Sequence, residues 1–157
     1  MNSMAPPPVI YSSRVLAYAA VDDIPYQKRG RVLLVDGEPL EQAPRLAICA
    51  HLRRDWDIVL FCCDEEWNVL GIIGNSSIEE LKAQAEKNYP GVAARWVDPG
   101  TTVEQALAYY DEQSGGEKCS FCGKRPFELE SWIMGKYGFA IICRECVTKF
   151  YADFKDK

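Results

Sequence analysis

Four cysteines near the C-terminus have the type and spacing to hold a metal ion. Cys119 and Cys122 are separated by two residues, twenty residues follow, and Cys143 and Cys146 repeat the same spacing. A pair spaced in this way lets both sulfurs reach one metal from a single tight turn, and two such turns complete a tetrahedron of thiolates. Gly123, just after the first pair, is the residue type that allows the left-handed turn a zinc knuckle requires. One structural Zn²⁺ per chain, held by Cys119, Cys122, Cys143 and Cys146, is the expectation. Four thiolates close the coordination shell, so Lewis-acid chemistry at that metal is not expected.

The surrounding residues add a more specific resemblance. Cys119-Ser120-Phe121-Cys122-Gly123-Lys124 and Ile142-Cys143-Arg144-Glu145-Cys146-Val147 resemble the zinc-binding domain of the ClpX family, the unfoldases of the Clp protease. The resemblance runs from Lys118 to Phe154. Two features depart from it. The loop between the pairs is about two residues longer, and Arg144 stands where that family has Asp. No GxxxxGK[ST] phosphate loop occurs in the 157 residues, so ATP-driven unfolding is not expected of them. The resemblance implies a treble-clef-like finger that forms a dimer and binds adaptors or substrate segments. Carried onto this sequence, it places a homodimer or peptide-binding surface on Trp132, Ile133, Phe139 and the helix from Cys143 to Phe154, Phe150 included. It also points to a bacterial, cytoplasmic protein.

The other candidates for chemistry carry less. His51 is the one histidine, and it follows Cys49 by two residues. On the helix expected there, the two side chains point to different sides. Cys49, Cys62 and Cys63 sit in apolar contexts and read as small core residues. The vicinal Cys62 and Cys63 would face opposite sides of a strand. Asp64-Glu65-Glu66 reads as a solvated hairpin turn. No residue is assigned a catalytic role, and the protein is expected not to be an enzyme.

Composition narrows the class. Residues 1–115 hold ten Lys and Arg against seventeen Asp and Glu, and residues 116–157 hold eight against six. Neither part carries the basic stripe that nucleic-acid binding demands. No run approaches the roughly 18 apolar residues of a membrane span. The stretch Met1-Asn2-Ser3-Met4-Ala5-Pro6-Pro7-Pro8 lacks the regions of a secretory signal, and seven cysteines without one suggest a reducing compartment.

The elements that must position these groups follow from patterning. Residues 1–12 read as a flexible proline-rich tail, 13–111 as an α+β domain, 112–117 as a Gly-rich linker, and 118–157 as the finger. Strands are expected over 14–21, 31–35, 57–63, 67–73 and 93–97. Helices are expected over 43–54, 78–89 and 101–110, opened by capping boxes at Ser76 or Ser77 and at Thr101. The fold class is α+β, a mainly antiparallel sheet with packed helices, followed by a small treble-clef-like four-cysteine zinc finger. A zinc-stabilised protein–protein interaction module, an adaptor or regulator, fits these features best. An enzyme with an N-terminal site drawing on Asp64, Glu65, His51 or Cys62, with purely structural zinc, is the alternative, as is an antitoxin or immunity-type protein.

Overall fold

A computed structural model of the chain describes residues 5–29, 34–35, 37–40, 42–74, 76–114, 117–135 and 140–155. The chain forms two compact units, Met1–Leu107 and Ala108–Lys157.

The first unit is built on an antiparallel sheet of five strands: β1 (Val9–Ile10), β2 (Ser13–Ala20), β5 (Arg45–His51), β6 (Ile58–Cys63) and β7 (Val69–Gly74), adjacent in that order. Strands β3 (Leu34–Val35) and β4 (Glu38–Pro39) form a separate small hairpin. The rest of the strand expected over 31–35 lies outside the described residues.

Alternation along the central strands sorts the side chains into two layers. Leu46, Ile48, Leu60 and Cys62 enter the layer beneath helix α1 (Ile78–Asn88), where they meet Leu81, Ala85 and Tyr89. Ala47, Cys49, Phe61 and Cys63 enter the opposite layer with Val15, Ile10 and Trp67. Burying a leucine or isoleucine in such a layer contributes about 1.5–3 kcal/mol over leaving it in water. Ser77 caps α1, accepting the Glu80 N–H at 3.2 Å while the Glu80 carboxylate accepts the Ser77 N–H at 3.0 Å.

Four expectations need correction. The helix placed over 43–54 is strand β5. A run buried on both faces is nearly continuously apolar, so Leu46, Cys49 and Leu52 fall at helical spacing by coincidence. The strand placed over 93–97 is a 3-10 turn, Val92–Ala94, held by the Glu86 carboxylate, which accepts the N–H groups of Gly91 and Ala93. Only Val97 joins the sheet, by a bridge to Tyr18. Val9 and Ile10, read as tail, are buried and pair with Arg14 and Ser13. Helix α2 (Val103–Gln113) opens at Thr102 rather than Thr101, with Thr102 and Gln105 exchanging caps, and it continues into the segment read as linker. No helix among the described residues is long and apolar enough to cross a membrane.

The layer assignment is testable by urea denaturation. Leu46→Ala, at a fully buried position, is expected to cost roughly 2–5 kcal/mol. Ile72→Ala, on the exposed side of the sheet edge, is expected to cost under about 1 kcal/mol. Equal losses would contradict the assignment.

Candidate metal centre

In the second unit, three local structures converge on the four sulfurs. The first is a knuckle from Cys119 to Lys124, in which Cys119 N–H donates to Lys124 C=O at 2.8 Å and Gly123 N–H donates to Cys119 C=O at 2.9 Å. Gly123 has φ 74°, the left-handed value expected at this turn. The second is the hairpin of β8 (Trp132–Met134) and β9 (Ile141–Cys143), whose last residue is a ligand. The third is α3 (Arg144–Lys155), which carries Cys146 in its first turn. Hydrogen bonds lock the knuckle to the hairpin: Ser120 N–H donates to Ile141 C=O at 2.7 Å, and Ile141 N–H donates to Ser120 Oγ at 3.0 Å.

The sulfurs fit a tetrahedral zinc ion. All four lie within 4.8 Å of one another. Cys119 and Cys146 are 3.8 Å apart, and Cys122 and Cys143 are 3.7 Å apart. Zn–S bonds of about 2.3 Å arranged as a tetrahedron require S···S edges of about 3.8 Å. Burial pushes the Cys119 thiol up, but N–H groups of Cys122, Phe121 and Cys143 outweigh it and bring it down to about 6. Burial, reinforced by the neighbouring sulfurs, raises Cys146 to about 12. In the absence of a cation the cluster therefore retains protons, which metal binding displaces. The N-terminus of α3 lies at the site, where its partial positive charge favours thiolates.

Around the sulfurs, Leu129, Ile142 and Phe150 form the apolar shell. Lys124 and Glu145 pair across the knuckle and the helix at 2.5 Å. The C-terminal turns of α2 belong to this unit as well. Asp111 accepts from Arg125 Nε and Nη2 at 2.5 and 2.7 Å, a bidentate pair that holds the Asp111 carboxyl below its usual range. Tyr110 meets Phe127 edge to face at 4.9 Å.

Residues 117–155 match the family model of the ClpX C4-type zinc finger. The C-terminal module is a ClpX C4-type zinc finger. No curated protein matches the chain, and no solved structure does. In this chain the ClpX-type finger is larger than the matched segment, since Tyr110 and Asp111 pack on it from outside.

The expected surface residues fall differently. Trp132 and Ile133 are exposed on β8. Phe150 is half-buried and turned onto Phe121 at 5.1 Å, within the finger's own packing. Phe139 lies outside the described residues.

The candidates in the first unit are not gathered into one site. Asp64 and Glu65 sit past the β6 end that pairs with Arg45, whereas His51 lies at the other end of β5. Cys62 and Cys63 enter opposite layers, as expected. Burial raises both to about 12 and Cys49 well above its ordinary value, so all three remain thiols. Asp64 organises its own turn, accepting the N–H groups of Glu66 and Asn68, each at 2.9 Å.

One grouping has no local signal in the sequence. The strand register sets Ser13 opposite His51, and a cleft of about 280 Å³ brings both together with Ser12 and Asp57. Because β5 is a strand, Cys49 and His51 share a face, contrary to the helical expectation. In a Ser-His-Asp triad the ring has its Nδ1–H held by a carboxylate and its Nε2 free to take a proton. His51 is arranged the other way. Its Nδ1 accepts the N–H groups of Arg53 and Arg54, at 3.2 and 3.3 Å, so the neutral ring carries its proton on Nε2. Asp57 pairs instead with Arg54 at 3.1 Å.

Metal binding of about 10–16 kcal/mol at neutral pH is folding free energy in a module of this kind. Cys143→Ser should release zinc and abolish hydrogen-exchange protection in α3 while leaving β5 and β6 protected. A protected, metal-free α3 would contradict the assignment.

Proposed function

We propose that the protein is a non-catalytic interaction module, an adaptor or regulator, that dimerises through its zinc finger. The observation that carries this reading is the apolar edge of the finger. Trp132, Ile133 and Met134 are all exposed on β8, which pairs only with β9 among the described residues. Ile133 is 64% exposed. An edge strand of three consecutive large apolar side chains, without charge or proline, is a template for pairing with another chain. A unit this small needs its metal to fold and leaves apolar surface over for a partner. The closed four-thiolate shell supplies rigidity rather than reactivity.

A second copy is the partner this reading commits to, with β8 edges pairing and the aromatic side chains meeting across the axis. An adaptor or substrate segment would use the same surface in exchange.

Light scattering of the zinc-loaded protein should give the mass of two chains, and Ile133→Asp should give one chain with zinc retained. A monomeric parent, or an Ile133→Asp variant that stays dimeric, would contradict the proposal.

A further inference from the structure

The hairpin tip between β5 and β6 is closed on the imidazole of His51, the one histidine of the chain. Its Nδ1 accepts the backbone N–H groups of Arg53 at 3.2 Å and of Arg54 at 3.3 Å. A neutral ring can accept at that nitrogen, whereas an imidazolium carries a proton on both nitrogens and can only donate. A single proton at Nδ1 therefore removes two hydrogen bonds and leaves one donor facing two others.

The rest of the tip depends on the same corner. His51 N–H donates to Asp57 C=O at 3.0 Å, and Asp57 N–H donates to Arg54 C=O at 2.8 Å. The Arg54 guanidinium pairs with the Asp57 carboxylate at 3.1 Å and stands 5.9 Å from the centre of the Trp56 ring, which is 74% exposed. The residue whose N–H is bound by His51 thus also braces Trp56. The charged groups of the tip are Arg53, Arg54, Asp55 and Asp57. The turn between β1 and β2 brings Tyr11 to the cleft beside the ring, and β6 and β7 face it with Val59, Phe61 and Ile72, none of them titratable. Arg14 lies opposite Ala50, on the other face from His51, and donates to Thr101 C=O at 2.8 Å. Burial and then the Arg54 guanidinium lower the His51 pKa from its ordinary 6.5; Asp57 opposes them and Arg53 adds to them.

We propose that residues 51–57 form an acid-operated latch, closed while His51 is neutral and opened when the ring takes a solvent proton at Nδ1, which frees Trp56 from Arg54. A ring that is harder to protonate in the closed tip than in the open one favours closure when neutral. The latch is therefore fully closed above the ordinary value of 6.5 and is lost as the pH falls below it. Each unit by which closure lowers that value makes opening tenfold more favourable on protonation. An exposed tryptophan released by one proton gives the first unit a surface that changes in mild acid. The latch lies wholly within that unit and is independent of the reading of the zinc finger.

The test is a pH titration of the full zinc-loaded chain from about pH 8 to about pH 5, followed by ¹⁵N–¹H NMR. With one histidine in the chain, long-range imidazole correlations read a single tautomer and a single midpoint. The expected result is an Nε2–H ring at high pH and a midpoint below 6.5. Across that midpoint, amide exchange of Arg53 and Arg54 should accelerate about fivefold or more beyond the intrinsic pH effect. The Trp56 indole resonance, identified by Trp56→Phe, should move with the same midpoint. His51→Asn, whose Oδ1 can accept the same two N–H groups at any pH, should keep the tip closed and flatten the profile. His51→Ala should exchange fast at every pH. An Nδ1–H ring, or exchange unchanged across the midpoint, would overturn the proposal. So would a His51→Asn variant with the parent's pH dependence, which would assign the transition to Asp55 or Asp57.

Discussion

Four thiolates within one coordination shell repel one another unless a cation sits among them, and the C-terminal unit is organised around that requirement. The knuckle delivers Cys119 and Cys122, the hairpin delivers Cys143, and the first turn of α3 delivers Cys146. Each of these pieces is too short to persist alone. A two-stranded hairpin with three residues per strand and a helix of twelve are marginal in water. The metal links them, and the small apolar shell of Leu129, Ile142 and Phe150 gains its packing once they are linked. Backbone N–H groups aimed at Cys119 and the amino end of α3 reduce the electrostatic cost of holding negative sulfur there.

The first unit rests on the opposite strategy. Its central strands are apolar on both faces and fill two layers, with no cluster of metal ligands among its described residues. Its three cysteines are buried in those layers, and burial keeps them protonated. The same residue type is thus a ligand in one unit and a packing residue in the other. The difference arises from spacing and exposure to backbone donors, not from the thiol itself.

How much of this was legible in the sequence depends on whether a local pattern carried the information. The metal site was fully legible, since two-residue spacing and Gly123 specify a knuckle whatever surrounds them. The hairpin of β6 and β7 and the cap at Ser77 were legible for the same reason. Strand β5 was not, because a run such as Arg45-Leu46-Ala47-Ile48-Cys49-Ala50-His51 satisfies both periods and only tertiary burial decides between them. The role of Asp64 was half visible: the turn could be seen, but not the left-handed Trp67 it holds. The docking of Tyr110 and Asp111 on the finger was invisible, since Gly115 and Gly116 mark a linker by composition while the pairing with Arg125 is set by the fold.

X-ray absorption at the zinc edge reads directly whether four sulfurs close the shell around one zinc ion. Four sulfur neighbours at about 2.3 Å are expected, with no nitrogen or oxygen bonded to the metal. A shell of three sulfurs and one light atom would contradict it, because the site would then hold an open position and the metal could act as more than a staple.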